Sequence, residues 1–420
     1  MTITLSKKKL LSAISFLLIM VFWASLFSGG IFAKIGYIKG QIILIALWFI
    51  SIFFSGQKVK ITAISNIIAH STQVFLLFVF FLINLFYWLL GRGDNMAYGS
   101  LVKSLILAVL YITILVQLKN NIQNYRLATI IIIVIYALIS IYTIPILFFN
   151  PFIARLYEFG KDEIPWFGSW SFFLPIGMAM PCFIATSLKE SGFFKFFLLA
   201  SCFIISIMVI LSTFAASILL LIMGVLGLYY QTVKNKSKFV MGIGAILFFI
   251  VLFLSLLDIS ELPQIEHMFY KIPAIFNTSA GIDENDPRIR ITLIEVSLNT
   301  FIHNPLFGVG LFEAKSDGNN LIGFHSGIID GLAQYGLFGI IWYFGFLILC
   351  FKRLLHSVKF DTNYLINQAR LISFILFFIA LLGNPVLIES TFCSLVFILV
   401  FSPVINNKIV KTKLVVIREK

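Results

Sequence analysis

The chain has 420 residues, 60% of them hydrophobic and 12% charged, with a formal net charge of +13. This composition excludes an ordinary soluble globular domain. The positive charge sits in short gaps between apolar runs, where it orients a chain in a membrane, so no nucleic-acid partner is expected.

Apolar runs long enough to cross a hydrocarbon layer of about 30 Å recur from end to end. They are apolar all round, unlike the alternating segments of about 10 residues in a β-barrel. The expected fold is all-α: one polytopic integral membrane unit over 1–420. The first run, 10–33, follows Lys7, Lys8 and Lys9. It is longer than the apolar part of a signal peptide and reads as an uncleaved first span. Runs at 40–56, 72–90, 101–118 and 127–149 follow, then a polar segment, 150–170, with Arg155, Lys161, Asp162 and Glu163 beside Trp166 and Trp170. These tryptophans suit interfacial anchors, with stacking on sugar rings as the alternative.

The next runs are 171–188, 194–211, 214–230 and 239–257. The turn "LSTF" between the second and third is thin enough to leave their separation open. The longest polar segment, 258–330, separates the ninth span from the tenth, and runs 331–351, 371–387 and 388–405 complete about twelve. The last pair, divided near "GNPVLIES", also reads as one broken helix. With the N-terminus inside, most basic residues fall in the inner segments, and every acidic residue except Glu190, Asp361 and Glu419 falls outside or near it. Both termini are therefore expected in the cytoplasm, with 150–170 and 258–330 as extracytoplasmic loops. Cys182, Cys202, Cys350 and Cys393 all lie in apolar runs without metal-type spacing and read as small buried hydrophobes.

The long loop carries the candidate chemistry. Asp286-Pro287 predicts a helix start, and Asn304-Pro305 a stop. Between them Ile291, Ile294, Leu298 and Ile302 form one oily face, expected on the membrane or in a groove. The first turn carries Arg288 and Arg290. Guanidinium forks and helix-terminal amides suit a phosphate. Contact with lipid headgroups, or with Asp283, Glu284 and Asp286, is the plainer reading. Gly308 and Gly310 permit a tight path after the helix. Neither a nucleotide loop nor a DxD metal signature is present, so no metal or cofactor is expected. His325 opens the next apolar run. An unperturbed imidazole titrates near pH ~6.5, so it is a candidate base for a sugar hydroxyl, against a capping or packing role. Asp330 and Gln334 follow, and an ionisable Asp330 this close to a span must be shallow or partnered, an arginine being one candidate.

An arginine near a helix start, then "FIHNPLFGVGLFEA", then "FHSGIIDGLAQYGLFGIIWYF", resembles the signature region of the O-antigen polymerase and O-antigen ligase family. The resemblance is specific over about 288–345. It implies an inverting, metal-independent glycosyltransferase of the bacterial cytoplasmic membrane, without a cofactor, acting on glycans carried by undecaprenyl pyrophosphate. It further implies that Arg288 contacts the donor pyrophosphate with Arg290 nearby, that His325 activates the acceptor hydroxyl, and that Arg155, before Gly160, is the arginine of the earlier outer loop. Asp330 and Lys161 are supporting candidates. The expected partners are the lipid-linked oligosaccharide, an acceptor glycan, membrane lipid and a chain-length regulator. The sequence departs from the family at "LSTFAASILLL": Ala215 stands where an arginine is expected. Another cation (Arg155, Arg290 or Lys161) substitutes, or the alignment shifts, or the donor is held differently. A polymerase is the first expectation, a ligase to lipid A-core or another acceptor the second. A flippase is disfavoured by the absence of repeats and of mid-membrane charge.

Overall fold

The computed structural model describes residues 7–27, 37–54, 57–91, 95–119, 121–150, 153, 170–212, 214–233, 237, 287–310, 321–360, 363–387 and 390–403. Among these residues the regular structure is helical throughout. The helices are α1 (Lys7–Phe27), α2 (Tyr37–Phe54), α3 (Gln57–Ile68), α4 (Ser71–Leu89), α5 (Asn95–Leu118), α6 (Ile122–Phe149) and α7 (Trp170–Leu188). There follow α8 (Gly192–Leu211), α9 (Ala215–Thr232), α10 (Pro287–His303), α11 (Gly327–Phe360), α12 (Tyr364–Gly383) and α13 (Ser390–Leu399).

This is a polytopic helical membrane protein. Among the described residues, α1, α4, α5, α6, α8, α9, α11 and α12 are long and apolar enough to cross a bilayer. The apolar parts of α2 and α7 are shorter. The expected span 239–257 and the loop 150–169, which carries Arg155 and Lys161, lie outside the described residues apart from positions 150 and 153. Two doubts left by the sequence are resolved. "LSTF" does break the chain, since α8 ends at Leu211, where the Ser212 hydroxyl donates to Val209 O at 2.6 Å, and α9 starts at Ala215. The last pair consists of two helices, α12 and a ten-residue α13.

The helices pack through large aromatic residues. Trp23, Trp48, Tyr111, Tyr125, Tyr136, Tyr335 and Tyr343 are fully buried. Two of their polar tips bridge helices: the Trp23 indole donates to the Thr113 hydroxyl at 2.9 Å, and the Tyr136 hydroxyl to Phe27 O at 3.1 Å. Outward-facing residues such as Phe149, Phe193 and Phe196 remain exposed, as lipid-facing positions require. All four cysteines are free and buried, as their placement in apolar runs predicts.

Cross-contacts sort the helix ends into two groups. Arg126 Nε donates to Glu190 Oε1 at 3.1 Å, Tyr125 donates to Leu399 O at 2.9 Å, and Arg370 donates to Val400 O at 2.9 Å. These segments carry the charges that the sequence pattern assigns to one side. At the opposite end Gly327 N–H donates to Asn384 O at 2.8 Å, and the Tyr87 hydroxyl donates to Phe307 O.

One helix was not foreseen. α3 lies at the end that carries Arg353 and the last turn of α5. The Asn66 amide donates to Leu115 O at 3.2 Å, and Arg353 Nη2 to Ala69 O at 3.4 Å. Ile61, Ile64 and Ile68 point outward. At twelve residues α3 is too short to span, and its basic start, Lys58 and Lys60, reads in sequence as a loop.

Candidate active site

Two segments far apart in sequence build one unit at the end that holds Tyr87 and Asn384. The first is α10 with its exit, 304–310. It is helical over Pro287–His303 and stops as the Asn-Pro pair predicts; Asp286, the expected N-cap, lies outside the described residues. The second is the loop 321–326 and the start of α11.

The helix α11 is broken at Gly336, where φ is 61° and ψ is −176°. A break leaves carbonyls before it and amides after it without helical partners. The exit of α10 supplies them. Val309 N–H donates to Ala333 O at 2.9 Å and Gly310 N–H to Gln334 O at 3.0 Å; Leu337 N–H donates to Pro305 O and Phe338 N–H to Leu306 O, both at 2.9 Å. Irregular backbone is tolerated in an apolar setting only when its polar groups are satisfied in this way. The Tyr87 hydroxyl ties down the joint by donating to Phe307 O and to Tyr335 O, the latter at 3.3 Å. Tyr335 in turn donates to Asn84 Oδ1 at 3.0 Å.

A second set of contacts fixes the loop that carries His325. The Ser297 hydroxyl, fully buried on α10, donates to Asp330 Oδ1 at 2.6 Å and accepts from Gly323 N–H at 2.8 Å. Asp330 Oδ2 accepts from Ser326 N–H at 2.8 Å, and the Ser326 hydroxyl accepts from Ile329 N–H at 3.3 Å. Ser326 and Asp330 therefore cap α11 reciprocally, a variant of the capping box, with the acidic group near the positive helix end. The partner of Asp330 is a hydroxyl plus an amide, where the sequence suggested an arginine. Gly323 lies so close to α10 that a Cβ would strike the Leu293 carbonyl. Phe324 adopts φ 56°, a left-handed conformation that costs on the order of 1–3 kcal/mol in a residue with a side chain.

His325 is half-buried, and its Nδ1 lies 2.9 Å from Gly323 O. A carbonyl oxygen only accepts, so Nδ1 carries the hydrogen; in the neutral ring this leaves the lone pair on Nε2. His303, by contrast, is exposed and turns its Nδ1 back to Asn299 O at 2.8 Å, a local helix contact.

Of the expected site residues, Arg288 and Arg290 lie in the first turn of α10, and Asp330 and the loop that carries His325 are bonded to the same helix farther along, at Ser297. The oily face reads differently from expectation: Ile291, Leu298 and Ile302 are exposed, and the face packed against the His325 loop is centred on Ser297. Ala215 is the exposed first residue of α9. Arg155 and Lys161 fall outside the described residues. Ser297 and Gly323 were missed by sequence reasoning. A single buried-type serine on a helix whose hydrophobic stripe faces another way was the available signal.

The family model described as O-Antigen ligase matches residues 200–344, a stretch that takes in α8 from its third turn, α9, α10 and the first half of α11. A comparison with the curated proteins finds no match.

Proposed function

We propose that the chain, whose residues 200–344 match the family model described as O-Antigen ligase, is a glycosyltransferase that polymerises lipid-linked repeat units. The growing polysaccharide moves from undecaprenyl pyrophosphate to the non-reducing end sugar of a new lipid-linked unit. The observation that carries this reading is the seating of the His325 loop on α10, the helix whose first turn holds Arg288 and Arg290.

In this reading His325 Nε2 takes the proton of the acceptor hydroxyl. The hydroxyl oxygen attacks the anomeric carbon from the face opposite the pyrophosphate, and a new C–O bond forms with inversion. The old bond to the pyrophosphate oxygen breaks, and undecaprenyl pyrophosphate departs with the electron pair. General-base assistance is worth about 10²–10⁴-fold. Arg288 and Arg290, joined by Arg155 from the earlier loop, offset the charge that develops on the leaving group. Lys161 is a further cation of that loop. With Ala215 where the family arginine is expected, these are the cations on which the reading relies. Asp330 supports the site. The segments 150–170 and 258–330 face the outside of the cytoplasmic membrane, both termini face the cytoplasm, and a chain-length regulator is the expected protein partner.

The second reading is a ligase that moves the finished glycan to lipid A-core or another acceptor. It uses the same chemistry. One experiment tests both. His325→Ala, checked for membrane insertion, is expected to abolish transfer. A polymer ladder that persists unchanged overturns the reading. In cells lacking the chain, single repeat units on the core support a polymerase; free long polymer with a bare core supports a ligase.

A further inference from the structure

The His325 loop is held by more than its own fold. Its two neighbouring backbone amides, at Gly323 and Ser326, both end on one buried pair: Gly323 N–H on the Ser297 hydroxyl at 2.8 Å, and Ser326 N–H on Asp330 Oδ2 at 2.8 Å. The pair is closed by the bond from Ser297 to Asp330 Oδ1 at 2.6 Å. Gly323 uses its other backbone group, the carbonyl, to accept from His325 Nδ1 at 2.9 Å. A line of contacts thus runs from Asp330 through Ser297 and the two backbone groups of Gly323 to the imidazole. Ser297 and Asp330 are both buried.

The geometry points to Ser297 and Asp330 as a positioning pair for His325: Ser297 sets the loop against α10, and Asp330 sets it against α11. This rests on the proposed role of His325 as base. Neither residue touches substrate. Their effect is to fix the Gly323 carbonyl, which selects the Nδ1–H tautomer and the ring plane, and to fix the distance from Nε2 to the helix that bears the arginines. Ser297 is the only link of that line that belongs to α10. An amide at position 330 cannot reproduce the carboxylate, because Asn offers a single acceptor oxygen to two donors, Ser297 Oγ–H and Ser326 N–H.

The test uses full-length protein in lipid nanodiscs. The substrate is undecaprenyl-pyrophosphate-linked oligosaccharide extracted from host cells deleted for this chain. Ser297→Ala and Asp330→Asn are measured beside His325→Ala, with kcat expressed per folded, monodisperse molecule. Misplacement of a catalytic group by about 1 Å costs on the order of a hundredfold, so kcat is expected to fall about ten- to a hundredfold. The KM for the lipid-linked substrate is expected to hold, since the arginines remain. Wild-type kcat in either folded variant, or a loss confined to KM or to the yield of folded protein, overturns the positioning role. Should Ser297→Ala fail to accumulate, Asp330→Asn, nearly isosteric with the native residue, decides alone. His325→Ala separates the two levels: full turnover in that variant removes the base itself, whereas its inactivity beside an active Ser297→Ala removes only the positioning pair.

Discussion

Arg290 stands seven residues before Ser297 on α10, about two full turns, while Arg288 stands nine before it, about two and a half turns. Resemblance favours Arg288 as the pyrophosphate ligand; helical register favours Arg290 as the cation on the side of the His325 loop. Arg290→Ala is therefore expected to lower kcat/KM for the lipid-linked donor more than Arg288→Ala does. A lost charge-assisted hydrogen bond corresponds to about 1.5–3 kcal/mol, or roughly ten- to a hundredfold. Steady-state assays of the two variants decide the order, and a larger loss in Arg288→Ala would show that the arginine away from Ser297 does the work.

Gly308 and Gly336 meet across the joint between the two segments, with φ of 63° and 61°. A Cβ on Gly308 would strike the Gln334 carbonyl, and one on Gly336 the Leu306 carbonyl. Gly336→Ala is expected to destabilise the protein by more than about 1–2 kcal/mol, the cost of a left-handed backbone alone. Gly99 sits in α5 with open space where its Cβ would be. Gly99→Ala should leave stability unchanged or raise it by less than about 1 kcal/mol. Thermal denaturation in detergent, followed by loss of monodisperse protein, compares the two; equal melting points would refute the account of the joint.

Tyr87→Phe removes the donor that serves both Phe307 O and Tyr335 O. Polar contacts inside membrane proteins average about 0.6 kcal/mol, and a buried group left unsatisfied costs about 1–3 kcal/mol, so a loss between these is expected. The same thermal assay measures it. Activity should fall with it, because the joint sets the path between α10 and α11.

Arg370 lies buried over the ring of Tyr125, 5.6 Å from its centroid, and donates to Val400 O and Ser402 O just past α13. Nη2 donates to both carbonyls while Nη1 donates to Asn367 Oδ1 at 3.0 Å, and the single nitrogen of a lysine cannot cover both arms of that planar fork. Arg370→Lys is expected to cost about 1.5–3 kcal/mol, the worth of one charged hydrogen bond, without changing the KM of the folded fraction. A wild-type melting point would show that the fork is dispensable.

Much of this molecule is legible from local pattern. Asp286-Pro287 and Asn304-Pro305 mark the bounds of α10 because proline acts on its immediate neighbours. His325 stands out as an imidazole at the mouth of an apolar run. What escapes the sequence depends on partners distant along the chain. Gly336 reads as a tolerated glycine in a span; its break makes sense only once 305–310 is docked into it. Ser297 looks like an ordinary helix residue until Gly323 and Asp330 close around it. α3 reads as a charged gap because twelve residues are too few to span, yet Asn66 finds a carbonyl on α5. The outward turn of Ile291, Leu298 and Ile302 was open for the same reason: periodicity reveals a stripe but not what it faces.

The break in α11 also constrains how the protein is made. A continuous helix can enter the bilayer alone, with every interior peptide group already paired. α11 cannot: four of its backbone groups depend on 305–310, and the clasp on that segment comes from Tyr87, more than two hundred residues upstream. Insertion of α11 is thus coupled to capture of the preceding loop by α4, so the arginine-bearing helix is docked as part of biogenesis and not afterwards.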